Sequence, residues 1–220
     1  MKLVRKTVRV SVESDVTRLE LARPPQWRQA MIIANGAGAD MHSDFINYFH
    51  EELARAGYLT VKFNFLYQEQ GRKSPDAAGK LEKTYLAIYN YLVEKEKIPG
   101  KNVILGGKSM GGRIATQIAD RTEATRIVLY GYPLHPPGKT EKLRDAHLYK
   151  LKARLLFIQG TRDKLCDPAL LQKVLKKIPD ARLHSIDQGD HSFAVPKRSG
   201  IDRQAVFAEV VREVMRFAGR

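Results

Sequence analysis

The feature that most constrains the fold of this chain is a repeated alternation of short apolar segments with segments of helical periodicity. Apolar runs typical of buried strands occupy residues 30–34, 58–65, 103–105, 126–130, 154–158 and 181–186. Apolar residues at helical spacing occupy residues 44–56, 75–97, 110–121, 170–178 and 201–217. Strands that are apolar on both faces need cover on both faces, so the pattern predicts a parallel sheet with helices on each side.

The first part of the chain has a different pattern. Residues 8–12 and 17–21 alternate apolar with polar side chains, which is typical of strands with one solvated face. Ser14 and Asp15 lie between them and favour a turn, so we expect an antiparallel hairpin. Together the two patterns predict an α/β fold with a mostly parallel sheet of about eight strands.

Length and composition are consistent with one domain over residues 1–220. No apolar stretch approaches the roughly 20 residues that cross a bilayer, and the charged N-terminal segment does not resemble a secretory signal. Cys166 is the single cysteine, so no intrachain disulfide can form, and we expect a cytoplasmic location. The loop-rich segment 131–150 is too short for a second domain, which predicts a partial lid at most.

The basic charge of the chain is a weak guide to its partners. The formal net charge is +14, but the 38 Lys and Arg residues are scattered along the sequence among 24 acidic ones. This distribution favours a solvated basic surface over a nucleic-acid or membrane interface. The sequence does not disclose the oligomeric state.

The sequence GKSMG at residues 107–111 has the form G-x-S-x-G. It lies between the strand 103–105 and the helix that begins at Met110, where a nucleophile elbow would expose Ser109 above the sheet. The overlapping GGKS resembles the end of a phosphate-binding P-loop. That motif requires a glycine where this chain has Asn102, so we reject the nucleotide-binding interpretation.

A serine nucleophile needs a base and an acid on later loops. Asp163 follows the strand 154–158 and His191 follows the strand 181–186, so the order is Ser109, Asp163, His191. We expect His191 to accept the serine proton and Asp163 to orient the imidazole. Asp167 and Asp190 are rivals for the acid; Asp167 precedes Pro168 and is better interpreted as a helix cap.

Two backbone N–H groups should stabilise the oxyanion that such a nucleophile creates. Met110 follows the nucleophile directly, and its N–H is one expected donor. The second should come from the loop NGAGAD at residues 35–40, where we assign Ala37 as donor, with Gly38 behind it on the substrate side.

Basic residues near the motifs suggest further pocket residues. Lys108 flanks the nucleophile directly and would favour an anionic acyl substrate. Arg113, Arg72 and Lys73 could add positive charge near the pocket, but they are better interpreted as surface residues. His135 in the segment 131–150 is a further candidate for the pocket. Besides His191 the chain has five histidines: His42, His50, His135, His147 and His184. None of them has metal-ligand spacing, so we expect neither a metal nor a cofactor.

Five segments carry a resemblance to a known family. They are NGAGA (35–39), GGKSMGGR (106–113), GYPLHPPGK (131–139), QGTRD (159–163) and GDHSF (189–193). With them the chain resembles the α/β-hydrolase superfamily, within a compact, dienelactone-hydrolase-like branch whose members are largely uncharacterised. The resemblance implies a serine hydrolase that uses Ser109, Asp163 and His191, and it leaves the substrate open. From the residues we expect a small acyl compound.

The chain departs from its relatives at two positions. Dienelactone hydrolases use a cysteine nucleophile where this chain has Ser109, which puts dienelactone itself in doubt. Relatives usually begin the strand-end loop with His, whereas this chain has Asn35, which can still fix the loop by hydrogen bonds. Some eukaryotic relatives belong to chromatin-associated complexes, so the alternative is a non-catalytic scaffold that binds a protein or a nucleic acid.

Overall fold

The computed structural model describes residues 2–219 and builds them around one eight-stranded sheet. Its strands are β1 (Val4–Val12), β2 (Asp15–Arg23), β3 (Ala30–Ile32), β4 (Leu59–Phe63), β5 (Val103–Lys108), β6 (Arg126–Tyr130), β7 (Arg154–Gly160) and β8 (Ala181–Ile186). Their order across the sheet is β1-β2-β4-β3-β5-β6-β7-β8. The pairs β1–β2 and β2–β4 are antiparallel and all others are parallel, which confirms the predicted fold class.

The N-terminal hairpin is longer than the sequence pattern predicts. Val12 pairs with Asp15 across a loop of Glu13 and Ser14, one residue before the predicted turn. β1 begins at Val4 instead of residue 8, because residues 4–7 pair with β2 although all four are exposed. An edge segment without a buried face leaves no alternation in the sequence.

Six α-helices accompany the sheet within the described residues. They are α1 (Asp44–Arg55), α2 (Leu66–Glu69), α3 (Ala78–Glu94), α4 (Met110–Ile118), α5 (Pro168–Leu175) and α6 (Arg203–Ala218). All but α2 lie within or close to the predicted helical segments. The sequence analysis missed α2, a single turn that is too short to show a periodicity.

Two apolar layers bury the faces of the sheet. One layer contains side chains of α3, α4 and α5, among them Tyr85 and Ile114. The other contains side chains of α1 and α6, among them Phe49 and Val210. Neighbouring residues of the central strands alternate between the layers, so helices cover both faces as the apolar runs predict.

The topology brings the chemically important loops together. β3 and β5 are adjacent and parallel, and so are β7 and β8, so the loops that follow these four strands emerge at one edge of the sheet. No helix within residues 2–219 is long and apolar enough to cross a membrane.

Candidate active site

Ser109 occupies a sharp turn between β5 and α4. Its backbone has φ 52° and ψ −115°, a strained conformation for a residue with a side chain. The turn is fixed on both sides, because the Ser109 N–H donates to the Tyr130 carbonyl at 3.0 Å and the Arg113 N–H donates to the Ser109 carbonyl at 3.0 Å. Ser109 therefore has the backbone geometry that the elbow motif predicts.

Glycines make this turn possible. A Cβ at Gly107 would lie 2.6 Å from the backbone carbon of Gly111, and a Cβ at Gly111 would lie 2.6 Å from the carbonyl oxygen of Ala34. Contacts this short cannot be relieved by a side-chain rotation, because backbone atoms form both sides. The two glycines of the motif let α4 pack directly against the end of β5 and against Ala34, which follows β3.

Asp163 and His191 form a hydrogen-bonded pair. Nδ1 of His191 lies 2.7 Å from Oδ2 of Asp163. The Asp163 side chain is fully buried and also accepts from Nε2 of Gln159 at 2.6 Å and from the Leu165 N–H at 2.8 Å. These bonds orient the imidazole with its Nδ1 toward the carboxylate. The His191 side chain is 29% exposed, so its other nitrogen is available at the site.

The two rival acids have other partners. Asp167 is the N-cap of α5: it accepts from the Leu170 N–H at 2.9 Å, and Pro168 opens the helix. Asp190 accepts from the N–H groups of Ser192 and Ala194, which closes a turn. Of the three carboxylates considered in the sequence, the structure brings Asp163 to His191.

The loop after β3 has its carbonyl groups held by side chains. Nδ2 of Asn35 donates to the carbonyls of Gly36 at 3.0 Å and Ala39 at 2.6 Å. The Tyr67 hydroxyl donates to the Ala37 carbonyl at 3.1 Å, and Gln68 donates to the Ala39 carbonyl. A trans peptide points its C=O and N–H to opposite sides, so the bond at Gly36 also fixes the direction of the Ala37 N–H. Asn35 thus ties the loop, as the sequence analysis expects for a residue that replaces His.

Ser109 and His191 line one cavity of about 330 Å³. Its wall also contains four loop residues (Gly36, Ala37, Gly38 and Ala39) and two apolar side chains of α1 (Phe45 and Ile46). Met110 is the first residue of α4, where the leading N–H groups have no partner within the helix. The cavity therefore combines the predicted nucleophile, base and oxyanion loop.

A second hollow lies on the other side of the same loop. It has a volume of about 600 Å³ and shares Ala37, Gly38 and Ala39 with the first. Arg72 and Lys73 line this hollow instead of the cavity beside Ser109. Residues 37–39 of the loop after β3 thus form a wall shared by two depressions.

The structure places His135 elsewhere than the sequence analysis expects. This residue is buried, its Nδ1 lies 2.9 Å from the Pro136 carbonyl, and its Nε2 accepts from the Asp167 N–H at 3.0 Å. It belongs to the support of α5 and does not line the cavity. Arg113 is likewise absent from the cavity wall and lies beside Tyr132 and Arg144. No described residue of the segment 131–150 lines the cavity, so this segment does not form a lid over it.

Sequence reasoning missed several residues of the site, of which four bear on its chemistry. Tyr67 and Gln159 act through hydrogen bonds to Ala37 and Asp163, and Phe45 and Arg203 line the cavity. Only Gln159 carries a signal, since it lies four residues before Asp163 at the end of an apolar strand. Within residues 2–219 no group of three or more His, Cys, Asp or Glu side chains could hold a metal ion.

Comparisons with known proteins agree with this fold. Residues 27–219 match the family model described as an alpha/beta hydrolase domain, so the chain belongs to the α/β-hydrolase family. A dienelactone hydrolase from Anabaena variabilis superposes with a TM-score of 0.78 at 21% identity, over 97% of this chain and 96% of that one.

Two further solved structures share the fold. A serine hydrolase homologue from Coxiella burnetii gives a TM-score of 0.76 at 14% identity, with 96% of both chains covered. A serine hydrolase without a lid from Xanthomonas campestris gives a TM-score of 0.72 at 18% identity, over 95% of this chain and 94% of that one. These likenesses show a dienelactone-hydrolase-like α/β fold with hydrolases among its neighbours.

Proposed function

We propose that the protein is a serine hydrolase that cleaves an ester, a thioester or a related acyl bond through an acyl-enzyme on Ser109. One observation carries the proposal: the strained elbow serine lines the same cavity as a histidine whose Nδ1 lies 2.7 Å from a buried carboxylate. A scaffold that only bound a protein or a nucleic acid would have no need of this arrangement.

The proposed reaction begins when Nε2 of His191 accepts the Ser109 proton and Oγ attacks the acyl carbon. The Asp163 carboxylate stabilises the imidazolium that forms. The N–H groups of Ala37 and Met110 are our candidates for binding the oxyanion of the tetrahedral intermediate. That intermediate expels the alcohol or thiol, which takes the proton from His191. Water then attacks the acyl-enzyme with His191 as base, releases the acid and restores Ser109.

The cavity favours a small acyl compound as substrate. Its volume is about 330 Å³, and Phe45 and Ile46 give it an apolar wall against which a short chain can pack.

The basic surface does not favour a nucleic-acid partner, because many of its arginines and lysines are paired with Glu or Asp. Examples are Arg5, Arg18, Arg23, Lys62, Lys80 and Lys83.

A fluorophosphonate probe tests the proposal, because it phosphonylates an activated serine and the adduct can be located by mass spectrometry. We expect labelling of the wild type on Ser109 and none of Ser109→Ala. Ser192→Ala is the matched control, since Ser192 lines the same cavity, and it should keep its label. An unlabelled wild type, or equal labelling of Ser109→Ala, would overturn the proposal and favour a non-catalytic scaffold.

A panel of esters and acyl thioesters should follow the labelling. It should cover acyl chains of increasing length, and be measured on wild type and Ser109→Ala in parallel. Turnover by the wild type that Ser109→Ala lacks identifies the bond that is cleaved.

A further inference from the structure

The ammonium group of Lys108 is buried beside the nucleophile without a hydrogen-bond acceptor. The residue is 8% exposed, and its Nζ has no partner among the described residues. Nζ lies 5.6 Å from the centre of the Phe45 ring and 5.9 Å from that of Phe193. Cation–π contacts offset part of the lost hydration, but they do not replace hydrogen bonds to an ammonium group.

The nearby acids do not supply an acceptor. Asp163 and Asp190 are the carboxylates whose charge favours the protonated amine, and both accept other hydrogen bonds. Burial outweighs their attraction and lowers the pKa of Lys108 to about 8. A protonated amine in this position therefore lacks a hydrogen-bond acceptor within the described residues, and a bound ligand could supply one.

The cavity next to Lys108 is cationic. Lys108 and Arg203 both line it, and its wall includes no Asp or Glu. The Arg203 guanidinium lies 4.8 Å from the centre of the Phe207 ring and forms no ion pair with a described residue. Two cations and no carboxylate on the wall favour a negatively charged ligand.

We propose that the cavity takes an acyl group that carries a second carboxylate, and that Lys108 binds this carboxylate. The proposal rests on the serine hydrolase function proposed above and names its substrate class. The carboxylate belongs to the acyl part, because an acyl-enzyme keeps that part on Ser109, the residue next to Lys108.

The side chain of Lys108 can reach such a group. Its Cγ passes beside Gly36, within 3.7 Å of the position a Cβ would take there, and Gly36 lines the cavity. The end of the chain bends away toward Gly131 and the rings. A lysine stem is flexible, so rotation of its last bonds carries the ammonium from this apolar enclosure to a ligand in the cavity.

The test compares two substrates of one shape. Monoethyl succinate carries the carboxylate, ethyl succinamate carries a neutral amide in its place, and ethanol release is measured for both. We expect the wild type to prefer the anion in kcat/KM, and Lys108→Met to lower the anion-to-amide ratio by about tenfold or more. Lys101→Met is the control, because Lys101 is exposed just before the opposite end of β5 and should leave the ratio unchanged.

The pH dependence of the ratio gives a second readout that needs no variant. The ammonium binds the carboxylate only while protonated, so the wild-type ratio should be high below pH 8 and should fall as the pH rises through about 8. The charged and titratable groups around Lys108 are Asp163 and Asp190 on the following loops and His191 above it. Effects that act equally on the ester carbonyl of both substrates cancel in the ratio.

Two results would overturn the inference. One is an equal loss of kcat/KM on both substrates in Lys108→Met, which would assign Lys108 to the support of Asp163. The other is a wild-type preference in kcat/KM for anionic esters only when the carboxylate is on the alcohol part. The pair 2-carboxyethyl propionate and 2-carbamoylethyl propionate measures that preference. In either case continued fluorophosphonate labelling of Ser109 would leave the hydrolase proposal intact.

Discussion

The hydroxyl group of Tyr67 donates to the carbonyl oxygen of Ala37, at 3.1 Å, from beneath the loop that we assign to oxyanion binding. Tyr67 is 1% exposed, and burial raises its pKa to about 12, so the hydroxyl remains a donor at physiological pH. The bond orients the peptide between Ala37 and Gly38, on the wall of both hollows.

Replacement of Tyr67 by Phe removes this hydrogen bond and leaves the ring. The bond holds Ala37 by its carbonyl side, and so supports the position of the residue whose own N–H we assign to the oxyanion. One neutral hydrogen bond contributes about 1 kcal/mol, so we expect kcat for the best substrate to fall about fivefold while KM changes little. Steady-state kinetics on purified Tyr67→Phe measures this split. A rise in KM with unchanged kcat would instead assign Tyr67 to substrate binding.

Asp163→Asn tests the proposed acid. The amide can no longer stabilise an imidazolium and allows the wrong imidazole tautomer, so kcat should fall by about 10³- to 10⁴-fold. The matched control is Asp167→Ala, which removes the α5 cap and should lower the free energy of unfolding by about 1 kcal/mol without comparable loss of kcat. The reverse pattern would make Asp167 the acid.

Gly131→Ala should destabilise the region beneath His191. A Cβ there would lie 2.9 Å from Nζ of Lys108 and 3.1 Å from the His191 carbonyl oxygen, at a φ of +66°. We expect a loss of about 2 kcal/mol or more in the free energy of unfolding, measured by urea denaturation.

Gly138→Ala separates the two causes of this loss. Gly138 has nearly the same φ, +68°, but a Cβ at this position meets nothing within 4 Å. It should therefore carry only the backbone strain, about 1 kcal/mol. Equal losses in the two variants would show that contact with Lys108 and His191 contributes nothing.

The buried histidine on α1 predicts an acid-sensitive stability. Burial and, secondarily, the charge of Lys62 lower the pKa of His50 from 6.5 to about 4. The folded state therefore binds its proton more weakly than the unfolded chain. Stability from neutral His50 is complete above pH 6.5 and should be lost as the pH falls toward 4, on the order of 3 kcal/mol in all.

Urea midpoints of the wild type and His50→Leu between pH 4 and 7 would check this. The variant should show a flatter pH dependence over this range, whatever its stability at pH 7. Parallel curves for the two proteins would exclude His50 as the source.

Much of the fold could be predicted from the sequence because its strands and helices have strong periodicities. The same reasoning found Ser109, Asp163 and His191 as candidates, since each follows a strand whose carboxyl end lies at one sheet edge. The sequence suggests His135 as a pocket residue, whereas the structure buries it beneath α5. Its partner, the Asp167 N–H, is 32 residues away in the chain and gives no local signal. The burial of Lys108 could not be predicted from the sequence either, because a lysine beside a motif is ordinarily a surface residue.

Gly38 lies in the wall between the two hollows, and a Cβ at this position would meet nothing within 4 Å. A substitution at position 38 can therefore add side-chain atoms between the two hollows without a clash at Cβ. A ligand long enough to cross the wall would contact both depressions at once, and we expect a larger side chain at position 38 to obstruct the crossing. For inhibitor design or for engineering of selectivity, we expect substitutions at this position to distinguish compounds confined beside Ser109 from compounds that extend toward Arg72 and Lys73.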